Sequence, residues 1–327
     1  MSNLLRIGIL GAARIAPAAL VRPARDVPLV KVAAVAARDR ARAEAFAAKH
    51  RIGAVHAGYA ELVADPDLDA VYNPLPNGLH HEWTLAALAA GKHVLCEKPL
   101  TANAAEAREV AAAAERAGLV VMEAFHYRYH PLIQRVLELL PTLGEPRHIE
   151  TALCAPMPRF SDIRYDLSLA GGAMMDMGSY TVHALRTFGG AEPEVVAARA
   201  TLQKPDVDRA MVAEYRFPGG ATGRTTASLW SRRVLDLSAR YTGSEGSLKI
   251  FNYLMPNVYH RLTVTRAGRT TREKVPGEAT YVHQLRAFAA AVLDEGPNLT
   301  PPEDSVRTMT VIDAVYRAAG LKVRGTG

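Results

Sequence analysis

The chain has 327 residues, with 39 Lys and Arg against 33 Asp and Glu for a net charge of +6, and 49% of it is hydrophobic. That length suits about two domains, and the balance is that of a globular protein and not of a disordered one. Two cysteines, Cys96 and Cys154, exclude a disulfide scaffold and a cysteine-built zinc site, and no apolar run approaches the ~20 residues that span a bilayer.

The basic residues are scattered and form no long run. This argues against nucleic acid as a partner and for local handling of anions. The opening Met1–Ile7 lacks a basic start and a small-residue cleavage site, so a cytoplasmic protein without a membrane partner is expected.

In the first 125 residues, short apolar runs alternate with longer Ala-rich stretches. Strands are predicted at Leu5–Leu10, Val30–Ala36, Ala54–His56, Ala70–Tyr72, His93–Cys96 and Leu119–Glu123. A helix start is expected over Arg14–Arg22, with helices at Arg40–His50, Tyr59–Val63, His80–Ala90 and Ala104–Ala117. Asp65-Pro66, Gly91 and Gly118 end three of them. Such alternation predicts an α/β, doubly wound parallel sheet with helices on both faces.

Beyond about residue 125 the texture changes. Helices are predicted at Pro131–Leu140, Gly172–Phe188, Tyr281–Asp294 and Glu303–Ala319. Strand-like alternation fills Ala191–Thr271, as at Met211–Phe217, Thr222–Leu229, Val234–Tyr241 and Arg261–Arg266. Gly219-Gly220 and Ala267-Gly268 read as hairpin turns. The expectation is an α+β domain with a predominantly antiparallel open sheet, giving domains 1–124 and 125–327.

The first strand runs into Gly11-Ala12-Ala13-Arg14-Ile15-Ala16. A dinucleotide site needs a tight turn, close backbone approach to the pyrophosphate and a close helix-to-strand contact. Only the first position here is Gly; Ala13 and Ala16 are the smallest alternatives. The second strand leads into Ala37-Arg38-Asp39, with Arg42 a helical turn on. An acid near that strand end would take the ribose hydroxyl of NAD, whereas Arg38 and Arg42 suit the 2′-phosphate of NADP. NADP(H) is the preferred expectation, and Asp39 keeps NAD(H) open.

Residues Val71-Tyr72-Asn73-Pro74-Leu75-Pro76-Asn77-Gly78-Leu79-His80 and Gly91-Lys92-His93-Val94-Leu95-Cys96-Glu97-Lys98-Pro99 form a more specific pattern. With Met122–Arg128, Ile163–Asp166, Gly171–Tyr180 and Pro302–Ser305, this pattern resembles the Gfo/Idh/MocA oxidoreductases. The likeness is strongest to the branch of trans-dihydrodiol dehydrogenases, xylose dehydrogenases and glucose-fructose oxidoreductases. It implies a nicotinamide cofactor on an N-terminal Rossmann domain and a second domain whose open sheet often forms a homodimer or a dimer of dimers. The implied reaction is hydride transfer to or from a hydroxyl or carbonyl carbon of a sugar, polyol or dihydrodiol. Expected cofactor contacts are Gly11, Ala12, Ala13, Arg14, Ile15, Arg38, Pro74, Leu75, Asn77, His80, Glu97, Lys98 and Arg164. Many members carry Gly at the position of Ala13, and the inositol dehydrogenase branch has His at that of Tyr180.

Hydride transfer at a C–O carbon also moves a proton on that oxygen, so an acid or base must lie within hydrogen-bond reach. Lys98 follows a strand C-terminus, the side where parallel sheets bind ligands, and its ammonium can stabilise charge on the oxygen. Asp176, Tyr180 and His183 fall on one face of a regular helix. With the resemblance, Tyr180 is expected to exchange the proton, Lys98 to polarise the oxygen and Asp176 to orient the substrate or Lys98. Whether Tyr180 or Lys98 titrates stays open. His183 reads equally as a substrate contact or a structural histidine, and Arg164 as a ligand contact or a loop ion pair. His126 and Arg128 are candidate substrate contacts. No metal is expected, because the paired histidines lack carboxylate partners. The alternatives are reduction of a non-sugar C=O or C=N bond, or a non-catalytic NADP-binding regulator.

Overall fold

A computed structural model describes residues 4–325, which divide into two compact units. The first comprises the chain up to Thr101, Ala105–Tyr129 and Tyr281–Val306. The second comprises Ala102–Ala104, His130–Thr280 and the chain from Arg307. Segment 281–306 thus packs with the N-terminal unit, where the sequence expectation drew a single cut at 124/125.

The first unit holds β1 (Leu5–Leu10), β2 (Val30–Ala36), α1 (Arg40–His50), β3 (Ala54–His56), α2 (Tyr59–Ala64), β4 (Ala70–Asn73), α3 (His80–Ala89), β5 (His93–Cys96), α4 (Ala104–Ala117) and β6 (Val121–Glu123). Its six strands are all parallel in the order β3-β2-β1-β4-β5-β6. Strands buried on both faces read as continuous apolar runs, and Ile7, Ile9, Val71, Val94 and Leu95 are fully buried. Leu10, Leu62, Leu68, Val71, Val94 and Val110 share one core cluster. At Gly8 an added Cβ would come 2.6 Å from Leu68 and 2.8 Å from Leu62, so any larger residue there must displace these two side chains. Asp39 caps α1 by accepting from the Arg42 amide. The edge strand β6 is covered by segment 298–300: the Glu123 amide donates to the Thr300 carbonyl at 3.0 Å, and Asn298 Nδ2 to the Val121 carbonyl at 2.8 Å.

The second unit contains α5 (Pro131–Leu139), β7 (Pro146–Cys154), α6 (Ser179–Gly189), β8 (Glu194–Lys204), β9 (Val207–Arg216), β10 (Thr222–Ser228), β11 (Ser238–Gly243), β12 (Gly246–Phe251), β13 (Arg261–Arg266) and β14 (Arg269–Glu273). The sheet runs β14-β13-β12-β11-β7-β10-β9-β8 and is antiparallel except between β7 and β10. Both expected hairpin turns are present, with positive φ at Gly219, Gly220, Ala267 and Gly268. The buried helix α6 lies on β7 and β10, and Thr151 Oγ1 of β7 donates to the Thr181 carbonyl at 2.8 Å. The final helices are α7 (Thr280–Val292) and α8 (Pro302–Ala318).

In the second unit, several elements differ from the sequence reading, three of them as follows. Strand β7 had no named counterpart. The strand expected from Val234 starts at Ser238, and Asp236 before it makes only an isolated bridge with Cys154. The single helix expected over Gly172–Phe188 is a π-helical turn, Met174–Gly178, followed by α6. Among the described residues no helix is long and apolar enough to cross a membrane.

Candidate active site

The turn after β1 begins at Gly11, whose φ of 93° is a conformation glycine tolerates. Its amide donates to the Ala36 carbonyl at 2.7 Å, tying the turn to the end of β2. Within the turn the amide of Ala13 is taken by Gly11 and that of Ala16 by Ala13. The amides of Ala12, Arg14 and Ile15 make no hydrogen bond to described residues. Free amides on a tight turn of small residues fit the pyrophosphate of a dinucleotide. The helix start expected over Arg14–Arg22 is a π-helical turn, Pro17–Val21, and a 3-10 turn, Pro23–Arg25. Arg42 Nη2 lies 3.5 Å from the Ala12 carbonyl, so this guanidinium stands beside the turn. Arg38 is exposed, and the Asp39 carboxylate is engaged with the Arg42 amide at 3.3 Å.

The C-terminal ends of β4, β5 and β6 gather most of the remaining candidates of the first unit. Asn73 shapes the Pro74-Leu75 turn: its Oδ1 accepts from the Leu75 amide at 3.4 Å, and its Nδ2 donates to the His80 carbonyl at 3.2 Å. His80 is fully buried, with Nε2 2.6 Å from the Leu75 carbonyl and Nδ1 2.8 Å from the Pro99 carbonyl. Burial foremost, with the Lys98 charge adding, lowers its pKa to about 4. A neutral ring donates to only one of the two carbonyls. His80 therefore braces the Leu75 turn against the Lys98-Pro99 bond, which is cis.

Glu97 accepts from the buried Tyr72 hydroxyl at 2.7 Å. Burial, and then that carboxylate, raise the Tyr72 pKa well above its ordinary value. His126, on the 3-10 turn after β6, is buried and stacks on Tyr281 with centroids 4.2 Å apart. Burial and the nearby Lys98 ammonium push its pKa down to about 3. Lys98 thus acts on two neutral imidazoles, with Glu97 adjacent in the chain. Arg128 is half-buried, and its Nη1 has no hydrogen-bond partner among the described residues. Asn77 sits in the 3-10 turn preceding α3.

Sequence reasoning missed Tyr72 and Tyr281. Tyr72 stands in the quoted Val71–His80 pattern but was given no role there, and Tyr281 arrives from a distant segment with no local motif.

In the second unit, Arg164 Nε donates to Asp176 Oδ2 at 2.7 Å and Nη1 to Asp162 Oδ1 at 3.0 Å. The ion pair read for Arg164 is present, and Asp176 is the foremost cause holding this guanidinium charged. Asp176 lies in the π-helical turn, which closes i→i+5 hydrogen bonds. The regular helix expected to carry Asp176 with Tyr180 and His183 therefore begins only at Ser179, with Asp176 in the wider turn before it. Tyr180 and His183 follow on α6, and both are buried.

The profile of the Gfo/Idh/MocA oxidoreductase family, NAD-binding Rossmann fold, matches residues 5–125. The profile of that family's C-terminal domain matches residues 136–249. A D-xylose 1-dehydrogenase (NADP(+)) of Haloferax volcanii is 38% identical over 320 residues, covering 96% of this chain and 97% of the relative. A trans-1,2-dihydrobenzene-1,2-diol dehydrogenase of Sus scrofa is 36% identical over 228 residues, 68% of this chain and 66% of the relative. Among solved structures, a 3-ketoreductase from Actinomadura kijaniata in complex with NADP and TDP-benzene superposes with a TM-score of 0.88. It is 34% identical, and the match covers 97% of this chain and 98% of that one. The chain belongs to the Gfo/Idh/MocA family and is an NAD(P)-binding oxidoreductase of the dehydrogenase and reductase kind.

Proposed function

We propose that this protein is an NADP(H)-dependent enzyme moving a hydride between nicotinamide C4 and a hydroxyl or carbonyl carbon of a sugar, polyol or trans-dihydrodiol. The observation that carries the cofactor choice is the use of Asp39. Its carboxylate caps α1, while Arg42 stands over the Ala12 carbonyl and Arg38 is exposed beside it. An acid spent on a cap is a poor ribose ligand, and two guanidinium groups favour a phosphate. The relatives named for NADP and for xylose or a dihydrodiol support the same reading.

When bound, the nicotinamide supplies or accepts the hydride. The protein's own groups handle the rest. The turn amides and Arg38 hold phosphates, and Pro74, Leu75, Asn77 and Glu97 line the cofactor site. His80 supports it by donating its one N–H to the Leu75 or the Pro99 carbonyl. Lys98 polarises the reacting oxygen, and Tyr180 exchanges its proton. Asp176, held by Arg164, orients the substrate. His126, Arg128 and His183 are proposed substrate contacts. A homodimer or dimer of dimers in the cytoplasm completes the proposal. It is supported by the long edge strand β8, exposed along much of its length, and sedimentation velocity tests it.

Fluorescence titration with NADPH and NADH is the first experiment. Tight NADPH and weak NADH binding is expected; the reverse order would return the ribose role to Asp39. Tyr180→Phe and Lys98→Ala are each expected to lower turnover at least about 100-fold with NADPH affinity kept, and unchanged turnover would remove the assignment.

A further inference from the structure

Beyond α8 the chain brings Arg324 into the interior of the second unit, where its side chain and that of Asp208 on β9 are both fully buried. Arg324 spends its guanidinium on three acceptors: Asp208 Oδ1 at 3.0 Å, the Gly171 carbonyl at 2.9 Å and the Lys322 carbonyl at 2.9 Å. Its plane lies 4.1 Å from the Tyr316 ring centroid, and the Tyr316 hydroxyl donates to Asp208 Oδ1 at 3.1 Å. The other Asp208 oxygen accepts from the Met174 amide at 2.7 Å, at the first residue of the π-helical turn.

The contacts to the Gly171 carbonyl and the Met174 amide converge on one stretch of backbone. Gly172 has a φ of 137°, and a Cβ there would lie 2.2 Å from Asp208 Oδ1 and 2.9 Å from the Tyr316 hydroxyl. The Gly172 carbonyl accepts from the Asp176 amide at 3.1 Å, and the Gly172 amide donates to the Arg164 carbonyl at 2.8 Å. Arg164 in turn grips the Asp176 carboxylate at 2.7 Å. Gly172, Arg164 and Asp176 thus form a closed ring, and Asp208 with Arg324 holds that ring from the inside. A buried ion pair is a poor source of stability, since apolar residues of equal volume often do as well.

We propose that Arg324 and Asp208 are positioning residues for Asp176 and Tyr180, fixing the Gly171–Met174 backbone from which the Asp176-bearing turn and α6 begin. The proposal rests on the reading that Asp176 and Tyr180 serve the reaction. Small displacements of such groups cost rate far more than binding.

The test uses the full chain with NADPH and the best substrate of a sugar, ketone and dihydrodiol panel. Arg324→Ala is expected to lower kcat at least about tenfold, with the NADPH Kd within about twofold and the basic limb of the kcat–pH profile displaced. Arg324→Lys keeps the charge but not the fork of donors, so its kcat should fall between those of wild type and Arg324→Ala. Added guanidinium should restore part of the Arg324→Ala loss. Circular dichroism and the NADPH titration establish that each variant is folded. Wild-type kcat and pH profile in folded Arg324→Ala overturn the proposal; if that variant does not fold, the same result in folded Arg324→Lys does so. A loss that only tracks the folded fraction also overturns it. Tyr180→Phe is the control. Full turnover in Tyr180→Phe removes the reading of the site itself, whereas an inactive Tyr180→Phe beside unaffected Arg324 variants removes the positioning role alone.

Discussion

Truncating Glu123 to Ala strips two buried donors of their acceptor at once. The carboxylate is 1% exposed and accepts from the Leu100 amide at 2.9 Å through Oε1 and from the Ser305 hydroxyl through Oε2. An unsatisfied buried donor costs about 1–3 kcal/mol. The Ser305 hydroxyl can rotate towards another acceptor, whereas the Leu100 amide is fixed. Relief of the buried carboxylate's own desolvation offsets part of the loss. The net expectation is about 3 kcal/mol from the first unit, with Glu123→Gln losing about half of that because its amide still accepts one bond. Urea unfolding at pH 7, followed by hydrogen exchange of peptides covering 93–101 and 119–129, reads this unit separately from the other. A loss below about 1 kcal/mol in Glu123→Ala would refute the reasoning. So would additive effects of Glu123→Ala and Ser305→Ala, since partners in one network should couple.

Other predictions concern pH, the cofactor and the core. His80 and His126 have folded pKa values of about 4 and about 3, against 6.5 for the free side chain. The unfolded chain therefore binds more protons below pH 6.5, and stability should fall from pH 6.5 towards 4 by up to about 1.4 kcal/mol per pH unit for each ring. A urea midpoint that stays flat between pH 7 and 5, or an equally steep His126→Leu curve, would contradict this. Arg38→Ala and Arg42→Ala should each raise the NADPH Kd at least about tenfold, the worth of one charge-assisted bond, with NADH binding nearly unchanged. Equal weakening of both cofactors would remove the phosphate role. Gly8→Ala forces a methyl against Leu62 and Leu68 and should cost about 1–3 kcal/mol in thermal unfolding; an unshifted Tm would show that α2 yields freely.

The parallel half of the fold was legible because buried parallel strands advertise themselves as unbroken apolar runs. The sequence reading placed β1, β2, β3 and β5, with α1 and α4, at their observed bounds. The second unit was harder. In β7, Ile149, Thr151 and Leu153 are buried while His148 and Glu150 are half-buried, so the sequence shows only a weak alternation. The π-helical turn Met174–Gly178 ahead of α6 was invisible because it uses the same residues as a regular one. Local motifs exposed Glu97, Lys98 and Tyr180 as candidates. The Arg164 pairing with Asp176, the stacking of Tyr281 on His126 and the Arg324–Asp208 pair all depend on tertiary return of the chain.

The covering of β6 by segment 298–300 has a consequence during synthesis. Val121 and Glu123 emerge from the ribosome early, yet their partners Asn298, Thr300 and Ser305 are made near the end. The nucleotide-binding unit therefore cannot complete its edge while the chain is still being translated through the second unit. A fragment stopped near residue 125 would carry an open strand edge and a buried acid deprived of its Ser305 donor, a template for aggregation. Moving 281–306 directly behind residue 129 in a rearranged gene is the route to an autonomous cofactor-binding module.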